Sequence, residues 1–410
     1  MAGKGNKVQT EGVSVKLCFR PSALDGHEGR LYYRIIIHRV CYQHNSAYTI
    51  FPTEWSDSVG FVIANDDTNR RKELLTIKSR TLWEMHQIVS IARALSVECS
   101  EADINTILIE FENAKASQSF TAFCKEQAGR LIATNRLRTS ETYLSAYKSF
   151  MRFRGGEDIM LYQFNTKVIE EYETFLQESG VSMNTISFYM RNLRTLFNKA
   201  VKQSLIPSCN FFADVYTGIA QTAKRAISME ELRRIKDLDL KLYPNLAYAR
   251  DMFMLSFYFR GMSFIDMANL QHCNLQNGHV IYHRSKTKQR LDVKWEPEMT
   301  EILDKYPLDA KYLLPILHAG DKESRSQFKY ISKQVNRWLK KIGKMADVKL
   351  PLTMYVARHT WASLAKQKNV PVGVISDALG HDSEKTTLIY LSTLDTSAVD
   401  NANGQILADL

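Results

Sequence analysis

The sequence predicts a multidomain, mainly α-helical chain with a small β-rich domain at its start and a short β-hairpin inside its last domain. Three observations carry that prediction. The run Leu31 to Val40 is crowded with β-branched and aromatic residues, as strands are. From about Leu74 onward apolar residues recur mostly at helical spacing, with Ser, Thr or Asn at the starts of segments and Gly at their ends. The stretch 207–223 mixes Pro, Ser, Cys, Asn and Gly without any sustained period. These breaks divide the 410 residues into 1–116, a β-rich domain with a following helix; 117–206, a helical domain; 207–223, a linker; and 224–410, a mixed, mainly helical domain with a C-terminal tail. Such a length suits two or three domains, each with its own core.

Taken in order, the strand-like region runs from about Gly12 to Ser58, with a polar turn expected at Tyr42 to Ser46 and closure at Pro52 and Trp55. A helix follows over about 74–115, where Leu82, Met85, Ile88, Ile91 and Leu95 share a face. In the second domain Ser119 opens a helix. Thr139 and Ser140 are placed to cap the next, and Gly155-Gly156 ends it. Two further helices cover about 165–179 and 182–203. The second carries Arg191, Arg194, Lys199 and Lys202 beside an apolar stripe, a pattern that suits either a solvated face or a grip on a DNA backbone. The last domain begins near Lys224-Arg225 with a helix capped at Ser228. A long apolar helix over about 247–259 is broken at Arg260-Gly261, and Val280 to Trp295 reads as a hairpin with a basic turn, Ser285 to Gln289.

Composition narrows the function classes. Formal net charge is +10 and the pI about 9.1, so a polyanionic partner is favoured through counterion release. Hydrophobic content of 45% and charged content of 24% are ordinary for a globular chain. No apolar run is long enough to span a bilayer, and residues 1–7 lack a signal-peptide core and read as a short disordered start, so a cytoplasmic protein is expected. The six cysteines show no metal-binding spacing and are expected as reduced thiols. No acidic cluster and no P-loop is visible, so neither metal nor ATP nor any other cofactor is expected.

The chemistry gathers in the last domain. Thr353 to Trp361 reads as a helix start in which Thr353 caps the first turn and Tyr355 and Arg358, three apart, share a face. A helix start favours an anion, and an arginine forks onto two phosphate oxygens. Lys286 and Lys288 lie in the hairpin turn, and Arg260 flanks the helix-breaking Gly261. Close to the C-terminus, Leu379-Gly380-His381 and Thr386-Thr387-Leu388-Ile389-Tyr390 place a phenol nine residues after a histidine. A phenol, with its pKa near 10, is a poor nucleophile at neutral pH unless donors surround its target. Singly each residue also has a bland reading, a packed phenol, a solvated lysine or an arginine in a salt bridge.

Taken together, the order arginine segment, lysine hairpin, Tyr355-x-x-Arg358 helix, Leu379-Gly380-His381 and Thr386-Thr387-x-x-Tyr390 resembles the tyrosine recombinase (phage integrase) family, in particular the branch carried by conjugative transposons and related mobile elements. The resemblance covers about 224–395. By extension 117–206 resembles the family's core-binding domain and 1–116 its arm-binding domain. It implies a catalytic set of Arg260, Lys286, Tyr355, Arg358, His381 and Tyr390, with Asp266 in support. It implies DNA contacts from Arg191, Arg194, Lys199, Lys202 and Lys288. It also implies a metal- and ATP-independent reaction through a 3′-phosphotyrosyl link, giving integration, excision or inversion. The partners implied are duplex DNA, a homotetramer on two DNA sites with the tail from Asp395 docked on a neighbour, and accessory DNA-bending proteins. Two positions depart from the family pattern: Tyr355 stands where histidine is usual, and Ser263 where the first arginine is usual, which makes Arg260, about 4.5 Å of helical rise away, its substitute. Two other readings stay open, a DNA-binding regulator on an impaired scaffold and a relative that breaks and reseals DNA without exchange, as type IB topoisomerases do.

Overall fold

The computed structural model describes residues 6–10, 12–63, 68–98, 103–116, 118–220, 226–319, 324–391 and 407, apart from the side chains of 96–98, 324, 389 and 390. The expected domain edge at Lys224-Arg225 and nearly all of the tail from Asp395 lie outside those residues. The chain is mainly helical and forms two compact units, residues 1–221 and 222–410.

In the first unit, β1 (Lys7–Thr10), β2 (Val13–Arg20), β3 (Gly29–Ile37) and β4 (Val40–Ile50) form an antiparallel sheet in the order 1-2-3-4, followed by the short pair β5 (Trp55–Ser56) and β6 (Gly60–Phe61). Strict alternation in β3 buries Leu31, Tyr33, Ile35 and Ile37 while Arg30 and Arg34 face out. The β3–β4 turn is not at Tyr42 to Ser46, which lie inside continuous strand. It falls at His38 and Arg39, both left-handed at φ 48° and 69°, the conformation that a tight hairpin needs. The buried face packs on α1 (Thr68–Glu98) and α2 (Ile104–Ala116).

A helical core follows, built from α3 (Phe120–Ala133), α4 (Leu137–Phe153), α5 (Thr166–Glu178) and α6 (Met183–Lys202). Ser119 caps α3 through Ala122 N–H at 3.0 Å, as expected. Thr139 and Ser140 do not cap α4, which begins at Leu137. Ser140 is buried and donates to Ala128 O at 3.1 Å instead. Nor is 207–223 a plain linker: Phe211, Phe212 and Val215 are buried in the helical core beside Phe197. Apolar area outweighed the turn-rich composition there.

The sheet and the helical core are joined through α1. Arg80 donates to Phe164 O at 2.6 Å, Trp83 Nε1 to Ser204 O at 3.0 Å, and Lys72 pairs with Asp214 at 2.6 Å. At the centre of this seam the buried Glu84 carboxylate accepts from Tyr33 at 2.5 Å, Tyr48 at 3.0 Å and Tyr162, the oxygens of Tyr48 and Tyr162 lying side by side.

The second unit holds α7 (Met229–Asp237), α8 (Pro244–Tyr258), α9 (Phe264–Ala268), then β7 (Leu275–Gln276), β8 (His279–His283) and β9 (Arg290–Lys294) in one antiparallel sheet. The remaining helices are α10 (Pro297–Leu303), α11 (Ser324–Met345), α12 (Met354–Gln367), α13 (Val372–Leu379) and α14 (Glu384–Leu391). α8 is buried nearly all round and packs against α11 and α12, so it forms the axis of this core. Among the described residues no helix is long and apolar enough to cross a membrane, and Cys18, Cys41, Cys124, Cys209 and Cys273 are free thiols.

Candidate active site

The site is built where α8 ends, α12 begins, the β8–β9 hairpin turns, and α13 gives way to α14. α12 starts at Met354, but the Thr353 side chain does not cap it. Asn336 of α11 does so, accepting from Met354 N–H at 2.9 Å. Of the two residues expected on one face of its first turn, Arg358 is buried at 4% exposure while Tyr355 is 44% exposed and rests edge-on against His359, ring centroids 4.5 Å apart. A three-residue offset turns the side chain by about 60°, enough to separate core from surface.

Arg358 is fixed from three directions. Nη1 donates to Gly261 O at 2.8 Å, and Nη2 donates to Leu379 O at 2.6 Å and to His381 Nε2 at 3.1 Å. The approach to Gly261 depends on its lacking a side chain: its φ is +77°, and a Cβ would stand 2.8 Å from Arg358 Cα. The helix break that the sequence shows at Arg260-Gly261 is thus the seat of Arg358.

His381 is buried as well, with Nδ1 2.8 Å from Thr387 Oγ1. Burial, and then the positive charges of Arg358, Arg284 and Lys286, push its pKa down to about 4. Since a guanidinium can only donate, Nε2 accepts, and the single proton of the neutral ring sits on Nδ1 and is given to Thr387.

The hairpin delivers the remaining cations. Arg284, 7% exposed, donates through Nη1 to Gly380 O; Thr287 donates to the same oxygen at 3.1 Å, and Gln289 Nε2 to His381 O at 3.2 Å. Gly380, left-handed at φ +61°, allows this docking: a Cβ would meet Leu291 Cδ1 at 3.0 Å and Arg284 Cδ at 3.1 Å. Lys286 is exposed at the tip and bears electrostatically on His381. Lys288 is exposed and left-handed at φ 62°. Asp266 steadies the turn from below, accepting from Ser285 N–H at 2.8 Å and from Ser263 Oγ at 2.6 Å.

Ser263 itself caps α9. Arg260 is half-exposed, held at φ 55°, and reaches Asp292 O at 3.4 Å; it shares the surroundings of the buried Tyr282 phenol with Arg284 and Arg358. Tyr390 lies on α14, one turn after Thr387, and its side chain lies outside the described residues. α14 packs on α12 and α13. Thus Arg358 and His381 are brought together with Arg284 beside them, Lys286 bears on His381 electrostatically from the exposed turn, Arg260 sits at the rim, and Tyr355 faces outward.

Arg284 is the residue that sequence reasoning missed. Its signal was present: it is the last position before the basic turn, and its side chain lies on the inward face with Val280 and Tyr282 by strand alternation. In the first unit, Arg191 and Lys202 on α6 are exposed, Arg194 is half-exposed, and Lys199 sits over the Tyr143 ring at 5.7 Å.

A β-rich N-terminal domain, a helical domain, and a mainly helical last domain with an arginine–histidine centre define an integrase-like architecture. The Phage integrase SAM-like domain matches residues 119–213 and the Phage integrase family residues 227–396. A tyrosine recombinase of Pseudothermotoga lettingae is 26% identical over 274 residues, covering 65% of this chain and 91% of the relative. The tyrosine recombinase XerA of Pyrococcus furiosus is 23% identical over 265 residues, covering 55% and 89%. In fold, the chain resembles a lambda integrase dimer bound to a COC′ core site, with TM-score 0.53 at 17% identity over 90% of this chain and 96% of that one. The chain belongs to the tyrosine recombinase (phage integrase) family.

Proposed function

We propose that this protein is a site-specific DNA recombinase that cuts and rejoins DNA through a 3′-phosphotyrosyl intermediate, integrating, excising or inverting a mobile element. The observation that carries this reading is the buried Arg358–His381 pair, ringed by Arg284 and Lys286 and with α14, the helix of Tyr390, bonded to it through Thr387. The excess of positive charge at one buried point suits the equatorial oxygens of a phosphodiester as charge builds in the transition state.

In this reading the Tyr390 oxygen forms the bond to phosphorus and the bond to the 5′ oxygen breaks. Lys286 gives that oxygen its proton, and the phenol's proton leaves to solvent. Arg358 and Arg284 hold the non-bridging oxygens from inside the site, with Arg260 supplying charge from the rim and Tyr355 a hydroxyl at the opening. Attack by another strand's 5′-hydroxyl reverses the step, so the energy of the broken bond is retained and neither ATP nor a metal ion is called upon.

DNA would be gripped mainly through phosphates, by Arg191, Arg194, Lys199 and Lys202 of the helical domain and by Lys288 of the hairpin. The open face of the N-terminal sheet supports an arm-type contact. Lys7, Lys16 and Arg34 stand in one cross-strand row and Arg20 and Arg30 in another. Like charges set directly opposite each other are costly unless an anion covers them. The working assembly would be a homotetramer on two sites in the cytoplasm, assisted by DNA-bending proteins. Arrangement on a mobile element fits the resemblance to conjugative-transposon enzymes.

The test is a set of suicide-nicked duplexes tiled across the DNA flanking the gene. A covalent protein–DNA band is expected from wild type. No band at any salt concentration would leave a DNA-binding regulator as the better reading, and nick resealing without exchange between two labelled duplexes would leave a topoisomerase-like one.

A further inference from the structure

We propose that the Thr387 hydroxyl is a positioning group that lets His381 change tautomer when a phosphate enters the site. This rests on the reading above, that the Arg358–His381 centre receives a DNA phosphate.

Three observations lead to it. His381 Nε2 faces a guanidinium nitrogen at 3.1 Å, and toward that donor it is an acceptor that cannot offer a hydrogen bond to an anion. Burial of the ring, and then the charges of Arg358, Arg284 and Lys286, oppose a second proton on it. Before an anion enters, an added proton is therefore not the ring's route to becoming a donor. A phosphate-bound ring protonated on both nitrogens would overturn the proposal. Thr387, fully buried, is its partner at Nδ1, 2.8 Å away.

A phosphate held by Arg358 replaces the imidazole as that guanidinium's acceptor. Nε2 then faces oxygen rather than N–H, and a proton on Nε2 becomes the favourable arrangement. The ring keeps one proton throughout. It leaves Nδ1 and is taken up at Nε2 by exchange with water, and no charge is gained or lost. Nδ1, stripped of its proton, now needs a donor. A hydroxyl is both acceptor and donor, so Thr387 serves each state by turning its O–H bond. An amide, a carboxylate or a carbonyl at the same place would serve one state better than the other. Because Thr387 lies three residues before Tyr390 on α14, the same hydrogen bond ties the nucleophile's helix to the state of the phosphate site.

The experiment uses full-length protein with 15N-labelled histidine, His381 being identified by the signal lost in His381→Gln. Without ligand, the expected signature is a proton on Nδ1; on titration with inorganic phosphate it should move to Nε2. Thr387→Val, nearly isosteric, should abolish that movement and slow covalent-complex formation about tenfold, the loss of one ordinary hydrogen bond. Thr387→Ser should restore both. A merely structural threonine would leave the tautomer response in Thr387→Val unchanged. A proton on Nε2 in the ligand-free protein, or no change of tautomer with phosphate, overturns the proposal even if Thr387→Val proves unstable. Equal cleavage by wild type and Thr387→Val also overturns it. Failure of wild type to form any covalent complex instead strikes the recombinase reading, while the ligand-free tautomer still decides the part played by Thr387.

Discussion

Each unit of this protein contains a buried polar cluster, and the two are built on opposite principles. Around Glu84 one carboxylate meets three phenols, Tyr33, Tyr48 and Tyr162, so donors and acceptors close on one another. Around His381, the guanidinium groups of Arg358 and Arg284 donate to carbonyl oxygens and to the imidazole, and Asp266 accepts from Ser285 and Ser263. A matched cluster joins pieces of the fold. A cluster that gathers guanidinium groups at one buried point suits an anion. On the proposed function, the contrast separates structural from chemical polarity inside one chain.

That contrast can be broken most sharply at Tyr390, the nucleophile of the proposed reaction. Tyr390→Phe should lower covalent-complex formation by at least about 10³-fold, while gel-shift affinity for the same duplex stays within about twofold. Retained cleavage would move the nucleophile elsewhere. Next come the cations. Arg358→Ala and Arg284→Ala should each slow cleavage by about 10²–10³-fold, the usual loss for one charge-stabilising donor. Arg260→Ala, at the rim, should cost less than about tenfold, and a larger loss from Arg260 than from Arg284 would reverse their order. Gly380→Ala adds a methyl group against Leu291 and Arg284 at a left-handed position. It should displace the hairpin and slow cleavage about tenfold or more, with melting lowered by a few degrees.

The Glu84 cluster should respond in stability rather than chemistry. Glu84→Gln leaves phenols unmatched and should cost about 1–3 kcal/mol in denaturant unfolding. Cleavage at permissive temperature should be unaffected. Burial and then the Glu84 charge raise the pKa of Tyr33, Tyr48 and Tyr162 above the usual phenol value. Their contribution to stability is therefore complete below about pH 10, where free tyrosine is protonated. It should decline as pH rises further, and Glu84→Gln should blunt that decline. The other cluster has the opposite sign. With His381 depressed to about 4, its neutral form contributes fully above about pH 6.5 and is lost as pH falls toward 4. A melting series between those values, compared with His381→Gln, reads the difference, which should be the smallest effect of the set.

Much of this was legible in the sequence because it rests on local rules. The β-branched and aromatic run from Leu31 announced a strand, Ser119 and Ser228 announced helix starts, and Arg260-Gly261 announced a break. Arg358, His381 and Lys286 stood out from residue type and order, with Tyr390 beside them. The hairpin turn was misplaced because Tyr42 to Ser46 are polar, yet one face of β4 is solvated and polar residues belong there. Arg284 went unnoticed for a related reason: an arginine beside a basic turn reads as solvated until Gly380 is seen to admit it.

By itself, the sequence determined the element types, the family and the residue kinds able to handle a phosphate, because periodicity, capping and motif order are properties of neighbours along the chain. Tertiary structure alone decided that Arg358 turns inward while Tyr355 turns out, that Arg284 joins the arginines at His381, and that Thr387 is the histidine's partner. Those outcomes depend on which carbonyls and glycines meet across the fold, with Gly261 97 residues from Arg358 and Arg284 96 from Gly380.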